Sequence, residues 1–145
     1  MRISLIQMNS RAAARDENVE RASQFVAQAA ADGARLIVLP EFFNCEYFPQ
    51  FRDYRYMNYA EPDTGPTTER MRASAKQHGI WLVSTIFEEA RAGLYYDTAM
   101  LINPAGEIAG KYRKVHLPGH SEFDPARSFQ HLEKRYFEPG DLGQR

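Results

Sequence analysis

The stretch Leu36-Ile37-Val38-Leu39-Pro40-Glu41 decides how the chain is organised. Its four large aliphatic residues are typical of a short strand that is buried on both faces. Proline has no N–H to donate to a neighbouring strand, so we expect the strand to end at Pro40. Glu41 then lies at the carboxyl end of the strand, where open α/β sheets bind ligands. Glu41 is therefore a candidate functional residue, and the alternative is an ordinary solvated loop carboxylate.

The residues before this strand predict a βαβ unit. Arg2 to Met8 is largely apolar and predicts a first strand. A helix should follow, with Asp16 as its N-cap and Gly33 as its stop. Because a strand, a helix and a second strand join through a right-handed crossover, we expect the two strands to pair in parallel.

The residues after it predict a mixed sheet with helices on at least one face. A second helix should carry Met71 and Ala75 on its apolar side and end at Gly79. The tight-turn sequence Asn103-Pro104-Ala105-Gly106 predicts that the two strands beside it run antiparallel. The three further strands are predicted at Ile80 to Phe87, Leu94 to Ile102 and Glu107 to Val115.

Length and composition predict one soluble globular domain. The chain has 145 residues, of which 43% are hydrophobic and 26% are charged. A net charge of -1 and a pI near 6.4 argue against nucleic acid or an anionic membrane as the partner. We find no apolar stretch long enough for a membrane span and no secretory leader. Because Cys45 is the lone cysteine and cannot form an internal disulfide, we expect a cytoplasmic protein.

An aromatic-rich segment follows Glu41. Eight of the eighteen aromatic residues lie between positions 42 and 59, without a regular period, and Pro49 interrupts any helix there. One interpretation is a hydrophobic lid or a subunit contact. The other is the wall of a pocket beside Glu41, since ligand pockets are mostly apolar and aromatic. On the second interpretation, Phe42 and Tyr47 are candidate substrate contacts.

The last predicted strand places Lys114 on its more apolar side. Alternate residues of a strand face opposite sides, so Lys114 shares a side with Ile108 and Tyr112, away from Lys111 and Arg113. An ammonium on an apolar face needs a partner, because burying an unpaired charge is costly. The carboxylate at the end of the second strand is a suitable one. The alternative, an edge strand protected by charges, explains the other two basic residues better than it explains Lys114.

Two histidines and a glutamate stand out in the rest of the chain. His116 and His120 are four residues apart, but Pro118-Gly119 between them forbids the helix that a zinc-binding pair of this spacing needs. With one cysteine and no other ligand cluster in the sequence, we expect no metal site. Glu133 is either a solvated helix charge or a second carboxylate near Glu41.

Two motifs resemble the nitrilase, or carbon–nitrogen hydrolase, superfamily. They are Leu39-Pro40-Glu41-Phe42 and Gly110-Lys111-Tyr112-Arg113-Lys114-Val115-His116-Leu117-Pro118. Glu41 and Lys114 lie 73 positions apart (114 − 41). The tail is similar to the N-carbamoyl-D-amino acid amidohydrolase branch, through His116-Leu117-Pro118-Gly119-His120 and the segment from Phe129 to Asp141. The resemblance runs through the whole chain.

The resemblance implies an α/β fold of the nitrilase type, a mixed-sheet α-β-β-α sandwich that pairs through its helices into dimers or larger homo-oligomers. It also implies a catalytic set of Glu, Lys and Cys that needs no cofactor. Glu41 matches the general base, Lys114 matches the lysine, and Glu133 resembles a second, structural glutamate. His116 and His131 match histidines that line the pocket of the carbamoylase branch.

By the same resemblance, the substrate would be a small N-carbamoyl or amide compound. A cysteine thiolate would attack its carbamoyl carbon while the lysine stabilises the developing oxyanion. The glutamate would take the thiol proton and later activate water. The implied products are a free amino acid, carbon dioxide and ammonia.

One member of the catalytic set is missing from the sequence. In the family, the nucleophilic cysteine follows the Pro139-Gly140-Asp141 segment on a further strand and turn, whereas Cys45 lies in the aromatic segment. Whole members of the family are longer, so residues 1–145 resemble the N-terminal half of one domain. We therefore expect a truncated domain that is inactive when it is purified alone.

Three hypotheses remain open. The first is an amidohydrolase of the carbamoylase type, with an N-carbamoylputrescine hydrolase or another amide or nitrile hydrolase as the alternative in the same superfamily. The second is a non-catalytic fragment that contributes only the fold and a dimer surface. The third is an acyl-transferring or ligand-binding relative that uses Glu41 and Lys114 for other ends.

Overall fold

The computed structural model describes residues 1–119 and 123–143. The strands of this part of the chain are β1 (Ile3–Leu5), β2 (Leu36–Val38), β3 (Trp81–Arg91), β4 (Leu94–Ile102) and β5 (Ile108–Arg113). The α-helices are α1 (Arg15–Ala31), α2 (Pro66–His78) and the single turn α3 (Glu133–Tyr136). Two 3₁₀ helices, Phe48–Gln50 and Tyr54–Tyr59, lie in the aromatic-rich segment. No helix among these described residues is long and apolar enough to cross a membrane.

The five strands form one mixed sheet in the order β1-β2-β3-β4-β5. The first three strands are parallel, and β4 and β5 are antiparallel to their neighbours. The predicted βαβ unit, the mixed sheet and the turn between β4 and β5 are therefore confirmed. β3 continues to Arg91, beyond its predicted end at Phe87, because it stays paired with β4 up to the turn at Gly93. β5 ends at Arg113, one residue before Lys114.

Both long helices pack on the same face of the sheet. Val26 of α1 and Met71 of α2 are fully buried against Ile37 of β2 and Leu82 of β3. We call this side the helix face. Close contact is possible because the packed side of α1 is rich in alanine; Ala22 is fully buried there. Burial of this aliphatic layer stabilises the fold by about 25 cal/mol for each Å² of apolar surface removed from water.

The predicted N-cap of the first helix was wrong. The helix begins at Arg15 after an Ala14 N-cap, and Asp16 lies within its first turn. The chain enters through Ala13 in the left-handed region, with φ of 53°. Buried Asn18 holds this entry, because its side chain accepts a hydrogen bond from the Arg11 amide and donates to the Arg11 carbonyl. Asp16 instead places its negative charge near the positive end of the helix dipole.

The opposite side of the sheet, which we call the open face, has two different halves. On β1, at the start of β3 and near the end of β4, large apolar side chains that share this face are exposed: Ile3, Leu5, Trp81 and Leu101. Around Phe87, towards the other end of β3, aromatic rings of the segment after Glu41 cover it. Phe48 is fully buried there and contacts Phe87 and Phe137 at ring-centroid distances of 5.1 and 5.9 Å.

Glu88 anchors a cluster of ionic contacts on the helix face. This carboxylate is 1% exposed and accepts hydrogen bonds from Thr98, Lys111 and Arg113. Lys111 and Arg113 also contact Asp63 and Asp141, respectively. Among the described residues β5 is the last strand of the sheet, so its position agrees with the edge-strand interpretation of these two basic residues, although both turn inward to a buried carboxylate. The contacts hold the pKa of Glu88 at about 2, because they outweigh the effect of burial.

Candidate active site

The end of β2 places Glu41 at the carboxyl edge of the parallel strands. The Leu39 amide still donates to the Val83 carbonyl at 3.0 Å, so the chain follows β3 up to the proline. The Thr85 hydroxyl then donates to the Pro40 carbonyl at 3.2 Å. Glu41 follows directly on the open face, with its side chain 46% exposed.

A strained turn follows Glu41. Phe42 has φ of 56°, in the left-handed region that bulky residues rarely adopt. The Ser10 hydroxyl holds the turn, because it lies 2.8 and 3.0 Å from the carbonyl oxygens of Phe42 and Phe43. The Phe42 ring is buried between Tyr47 and Phe137. Strain of this kind is often found at functional sites, where packing around it fixes an unusual geometry.

Lys114 joins three carboxyl groups. Its Nζ atom lies 2.8 Å from Glu41 Oε1, 2.9 Å from Glu133 Oε2 and 3.5 Å from Asp97 Oδ2. The carboxyl oxygens of these three acidic residues lie within 4.8 Å of one another. The predicted site residues Glu41, Lys114 and Glu133 are thus brought together from three distant segments of the chain. The Lys114 ammonium already supplies a cation to this carboxyl cluster.

Backbone contacts hold Lys114 in place although β5 has ended. Its amide donates to the Asp97 carbonyl and its carbonyl accepts from the Gly140 amide, each at 2.9 Å. Gly140 allows this close approach, since a Cβ atom there would lie 2.0 Å from the Arg113 carbonyl oxygen. Lys114 therefore faces the side opposite to Lys111 and Arg113, as the alternation of strand residues predicted. Ile108 does not share that side, because a bulge in the pairing with β4 places it opposite Ile102 of the helix face.

Glu133 and Tyr47 form the inner wall of the site. The Glu133 side chain is 2% exposed, and its Oε1 atom accepts a hydrogen bond from the Tyr47 hydroxyl at 2.9 Å. The same hydroxyl lies 2.9 Å from Nδ1 of His131. Because a hydroxyl has one proton and donates it to Glu133, the His131 Nδ1 must be the donor to Tyr47. In a neutral ring with this arrangement, Nε2 of His131 is an acceptor.

His116 lies apart from this group. It is exposed and lines a cavity of about 430 Å³ with Leu117, Lys134 and Phe137. Among the described residues that line this cavity, none belongs to the cluster around Lys114. The second histidine of the predicted pair, His120, lies outside the described residues.

The electrostatics of the site differ from group to group. Burial raises the pKa of Glu41, but hydrogen bonds with Asp97 and Lys114 outweigh burial and hold that pKa below its ordinary value. Burial lowers the pKa of Lys114, but its bonds to Glu41 and Glu133 raise the pKa above its usual range. Burial, together with the hydrogen bond to Glu41, raises the pKa of Asp97 to about 8. The lysine therefore stays charged, and Glu41 remains a carboxylate.

Sequence reasoning missed Asp97. It is 7% exposed and pairs with Phe87 in the middle of the sheet. The available signal was a carboxylate inside a strand otherwise rich in apolar and aromatic residues. Its proximity to Lys114 depends on the register between β4 and β5, which strand alternation alone does not provide.

Cys45 is not placed as a nucleophile for this site. Its side chain is buried among Phe42, Phe48 and other aromatic residues, and it borders a cavity at the start of α1. Burial and the nearby charges of Glu46 and Glu61 raise the pKa of the Cys45 thiol. A thiol in these surroundings stays protonated and is a poor nucleophile.

Comparison with known proteins identifies the family. A family model described as carbon-nitrogen hydrolase matches residues 2–144. The chain belongs to this family. Omega-amidase NIT2 of Homo sapiens is 33% identical over 140 residues, which cover 97% of this chain and 48% of that protein. The chain thus spans about half the length of the curated relatives it matches.

Solved structures of the family share the fold. A carbon-nitrogen hydrolase from Helicobacter pylori has a TM-score of 0.83 and 29% identity, covering 97% of this chain and 45% of that one. An amidase from Nesterenkonia sp. has a TM-score of 0.75 and 27% identity, covering 98% of this chain and 49% of that one. In a variant of that amidase, the acetamide moiety of fluoroacetamide is covalently attached at the active-site cysteine. The fold prediction is confirmed: the sheet and helices correspond to roughly the first half of a nitrilase-type fold.

Proposed function

We propose that this chain supplies the glutamate and the lysine of an amidohydrolase that cleaves non-peptide carbon–nitrogen bonds. The proposal rests on one observation above all: Lys114 Nζ lies 2.8 Å from Glu41 and 2.9 Å from Glu133. An ammonium held in this way can stabilise the oxyanion of a tetrahedral intermediate. A partly exposed carboxylate beside it can take and return a proton.

In this proposal, the nucleophile is a cysteine thiol from outside residues 1–145. Glu41 takes the thiol proton, and the thiolate attacks the carbonyl carbon while Lys114 holds the developing oxyanion. Ammonia leaves with a proton from Glu41, and water activated by Glu41 then hydrolyses the acyl-enzyme. Glu133, fixed by Tyr47, holds Lys114 from its buried side. The covalent adduct at the cysteine of the Nesterenkonia amidase is consistent with this order of events.

The 145-residue chain alone tests where the nucleophile lies. We expect it to release no ammonia from N-carbamoyl-D-phenylalanine, because its one thiol is buried and bonds to neither Glu41 nor Lys114 in the described part of the chain. Ammonia can be followed in a coupled assay at neutral pH. Turnover that disappears in Cys45→Ala would contradict the proposal.

For the substrate class, we propose an N-carbamoyl amino acid of the D-type. The support is the sequence of the tail together with the contact that orients His131 beside Tyr47 and Glu133. With Nδ1 donating to Tyr47, Nε2 of the neutral His131 ring can accept a hydrogen bond from the N–H that links the carbamoyl carbon to the amino acid, a position at which a simple amide of a carboxylic acid has a carbon atom. His116 lines a different cavity, so its predicted substrate contact stays a prediction.

An ω-amide of a dicarboxylic acid is the second candidate substrate, because omega-amidase NIT2 is among the relatives. The ratio of kcat/KM for N-carbamoyl-D-phenylalanine to kcat/KM for such an ω-amide distinguishes the two. The measurement requires a protein that contains residues 1–145 together with the proposed nucleophilic cysteine. We call it the thiol-bearing protein. In that protein, His131→Ala should reduce the ratio, and a ratio below one in the unsubstituted protein would favour the ω-amide.

We further propose that residues 1–145 are the N-terminal part of a single cytoplasmic hydrolase domain that assembles as a homodimer or larger homo-oligomer. Exposed apolar side chains such as Leu5, Trp81 and Leu101 on the open face support the first part of this proposal, because the second sheet of an α-β-β-α sandwich would cover them. The assembly into oligomers rests on the resemblance to the family alone. Light scattering of the thiol-bearing protein measures its mass, and a monomer at all concentrations would contradict the assembly.

A further inference from the structure

Three carboxyl groups around Lys114 share one positive charge. If Glu41, Asp97 and Glu133 were all ionised, three negative charges would face a single ammonium. The side chains of Asp97 and Glu133 are only 8% and 2% exposed, so water does little to offset the excess charge. Carboxylates this close to one another do not all ionise at neutral pH, and one of them keeps its proton.

The contacts indicate which carboxyl group keeps it. Glu41 and Glu133 each lie within 3 Å of the Lys114 ammonium, whereas Asp97 lies 3.5 Å from it. Glu133 also receives the Tyr47 hydroxyl. Asp97 Oδ2 and Glu133 Oε2 are both buried and, apart from their ion pairs with Lys114, accept no hydrogen bond in the part of the chain that the structure describes, so the longer ion pair of Asp97 distinguishes the two. Asp97 also lies within hydrogen-bond reach of Glu41, and two carboxyl groups can bond only if one is protonated.

We infer that Asp97 is a positioning residue, which keeps its proton at neutral pH and donates it in a hydrogen bond to Glu41. The inference rests on the proposed role of Glu41 as the general base. A neutral Asp97 fixes the orientation of the Glu41 carboxylate without adding a second negative charge. It thereby keeps Glu41 ionised and leaves its other oxygen to Lys114 and to the reacting thiol.

The groups that face Asp97 support this assignment. They are Glu41 beyond β2, Lys114 beyond β5, Glu133 on α3, and Tyr47 and Cys45 in the aromatic segment. Burial contributes most to raising the pKa of Asp97 to about 8, followed by the bond to Glu41, with Lys114 opposing both. Burial, with the negative charges around it, raises the pKa of the Tyr47 hydroxyl. Tyr47 therefore stays neutral and adds no charge to the cluster.

The pH dependence of stability follows with an unusual sign for an aspartate. The folded state keeps the proton up to about pH 8, whereas the unfolded chain loses it near its ordinary pKa of 3.8. Above pH 4 the unfolded state therefore binds fewer protons than the folded state, and stability falls as the pH rises to about 8. Asp97→Asn, which keeps a neutral donor, should remove this fall.

The decisive experiment is a carbon-13 NMR titration of the chain labelled at its aspartate carboxyl groups. The chain has seven aspartates, and we expect one of them to titrate near pH 8. That resonance should vanish in Asp97→Asn and move to a lower midpoint in Glu41→Gln, where the neighbouring charge is absent. Through-bond assignment in the unsubstituted chain decides the question if Asp97→Asn does not fold. Titration of Asp97 below pH 6 would overturn the inference.

Activity of the thiol-bearing protein tests the positioning role separately. Asp97→Leu, which cannot donate, should lower kcat/KM about 10²-fold, as expected when a reacting group is misplaced. Asp97→Asn should keep most of the kcat/KM that Asp97→Leu loses. It should also lack the decline of kcat/KM near pH 8 that we expect in the unsubstituted protein. An unchanged alkaline decline in Asp97→Asn would overturn the role. If the protein hydrolyses no carbon–nitrogen bond at all, the proposed function fails, and the NMR titration still decides whether Asp97 is protonated.

Discussion

Glu88 and Asp97 are buried carboxyl groups on opposite faces of the same sheet, in opposite electrostatic surroundings. Glu88 binds two cations, Lys111 and Arg113, and its pKa is held at about 2. Asp97 shares the single ammonium of Lys114 with two other carboxyl groups, and its pKa is raised to about 8. Where cations outnumber carboxylates, as around Glu88, the carboxylate stays ionised, and this suits a structural contact. Where carboxyl groups outnumber cations, as around Lys114, one carboxyl group keeps a proton that it can hold or transfer, and this suits catalysis.

The three basic residues at the end of β5 connect the two sites. Lys111 and Arg113 turn to the helix face, and Lys114 turns to the open face, because strand residues alternate. The Gly140 amide and the Asp97 carbonyl continue this alternation past the end of the strand. The end of a single β-strand therefore provides the cations of both a structural cluster and a candidate active site.

The largest expected difference between the two faces is in catalysis. In the thiol-bearing protein, Glu41→Gln should lower kcat by about 10³-fold, because it removes the proposed general base. We expect little change in stability, since three carboxyl groups there compete for one cation. Kinetics and thermal melts of the same preparation measure both effects. Turnover near that of the unsubstituted protein would show that Glu41 is not the base.

The matched substitution on the helix face, Glu88→Gln, should act on stability instead. The substitution removes the carboxylate that Lys111 and Arg113 share, so two partly buried cations lose their partner. We expect the free energy of unfolding to fall by about 3 kcal/mol. Glu88 has a pKa lowered to about 2, so its contribution is complete above about pH 4.5 and is lost as the pH falls towards 2. Over that window we expect a loss of about 3 kcal/mol, measured by denaturant unfolding. A substituted chain with the same acid sensitivity as the unsubstituted one would contradict this.

A smaller effect is expected at the strained turn after Glu41. Ser10→Ala removes the hydroxyl that contacts two backbone carbonyls of this turn, at a cost of about 1 kcal/mol. Ser23→Ala is the control, because the Ser23 hydroxyl donates back to Val19 within α1 and receives only a long contact of 3.5 Å from the Ser74 hydroxyl, and alanine is a better helix former. Denaturant unfolding of both variants measures the difference. Equal effects would mean that Ser10 does not hold the turn.

The smallest effect on stability is expected at the exposed end of the open face. Leu5 is 75% exposed, so Leu5→Thr should change the free energy of unfolding by less than about 0.5 kcal/mol. It should also reduce aggregation of the 145-residue chain, because it interrupts an exposed apolar surface. Leu82→Thr on the buried helix face is the contrasting control and should destabilise the chain by about 3 kcal/mol. Light scattering and thermal melts compare the two, and a similar destabilisation by both would contradict the assignment of faces.

Much of the fold and part of the candidate site could be predicted from the sequence. The aliphatic run ending in Pro40 located Glu41, and strand alternation separated Lys114 from Lys111. Asp97 and Glu88 were not found, because each gains its partners through the register between strands. The N-cap was misplaced because a buried side chain, Asn18, organises the start of α1 through tertiary contacts rather than through local capping.

The family relationship adds information on function that the hydrophobic periodicity of the sequence could not provide. It shows that the chain belongs to the carbon–nitrogen hydrolase family and supports the proposal that a thiol completes the site. The assignment of the substrate rests on fewer residues, mainly His131 and Tyr47, and the named relatives include an omega-amidase. Substrate kinetics therefore carry more weight for this part of the account than further structural comparison.

The most direct test of the central claim compares Lys114→Ala with Lys111→Ala in the thiol-bearing protein. Both substitutions remove one ammonium near the end of β5, but only the first removes it from the carboxyl cluster of the open face. We predict that Lys114→Ala lowers the kcat for ammonia release by about 10³-fold, as expected for loss of an oxyanion-stabilising group, while Lys111→Ala lowers stability and retains turnover. Equal turnover in the two variants would contradict the account.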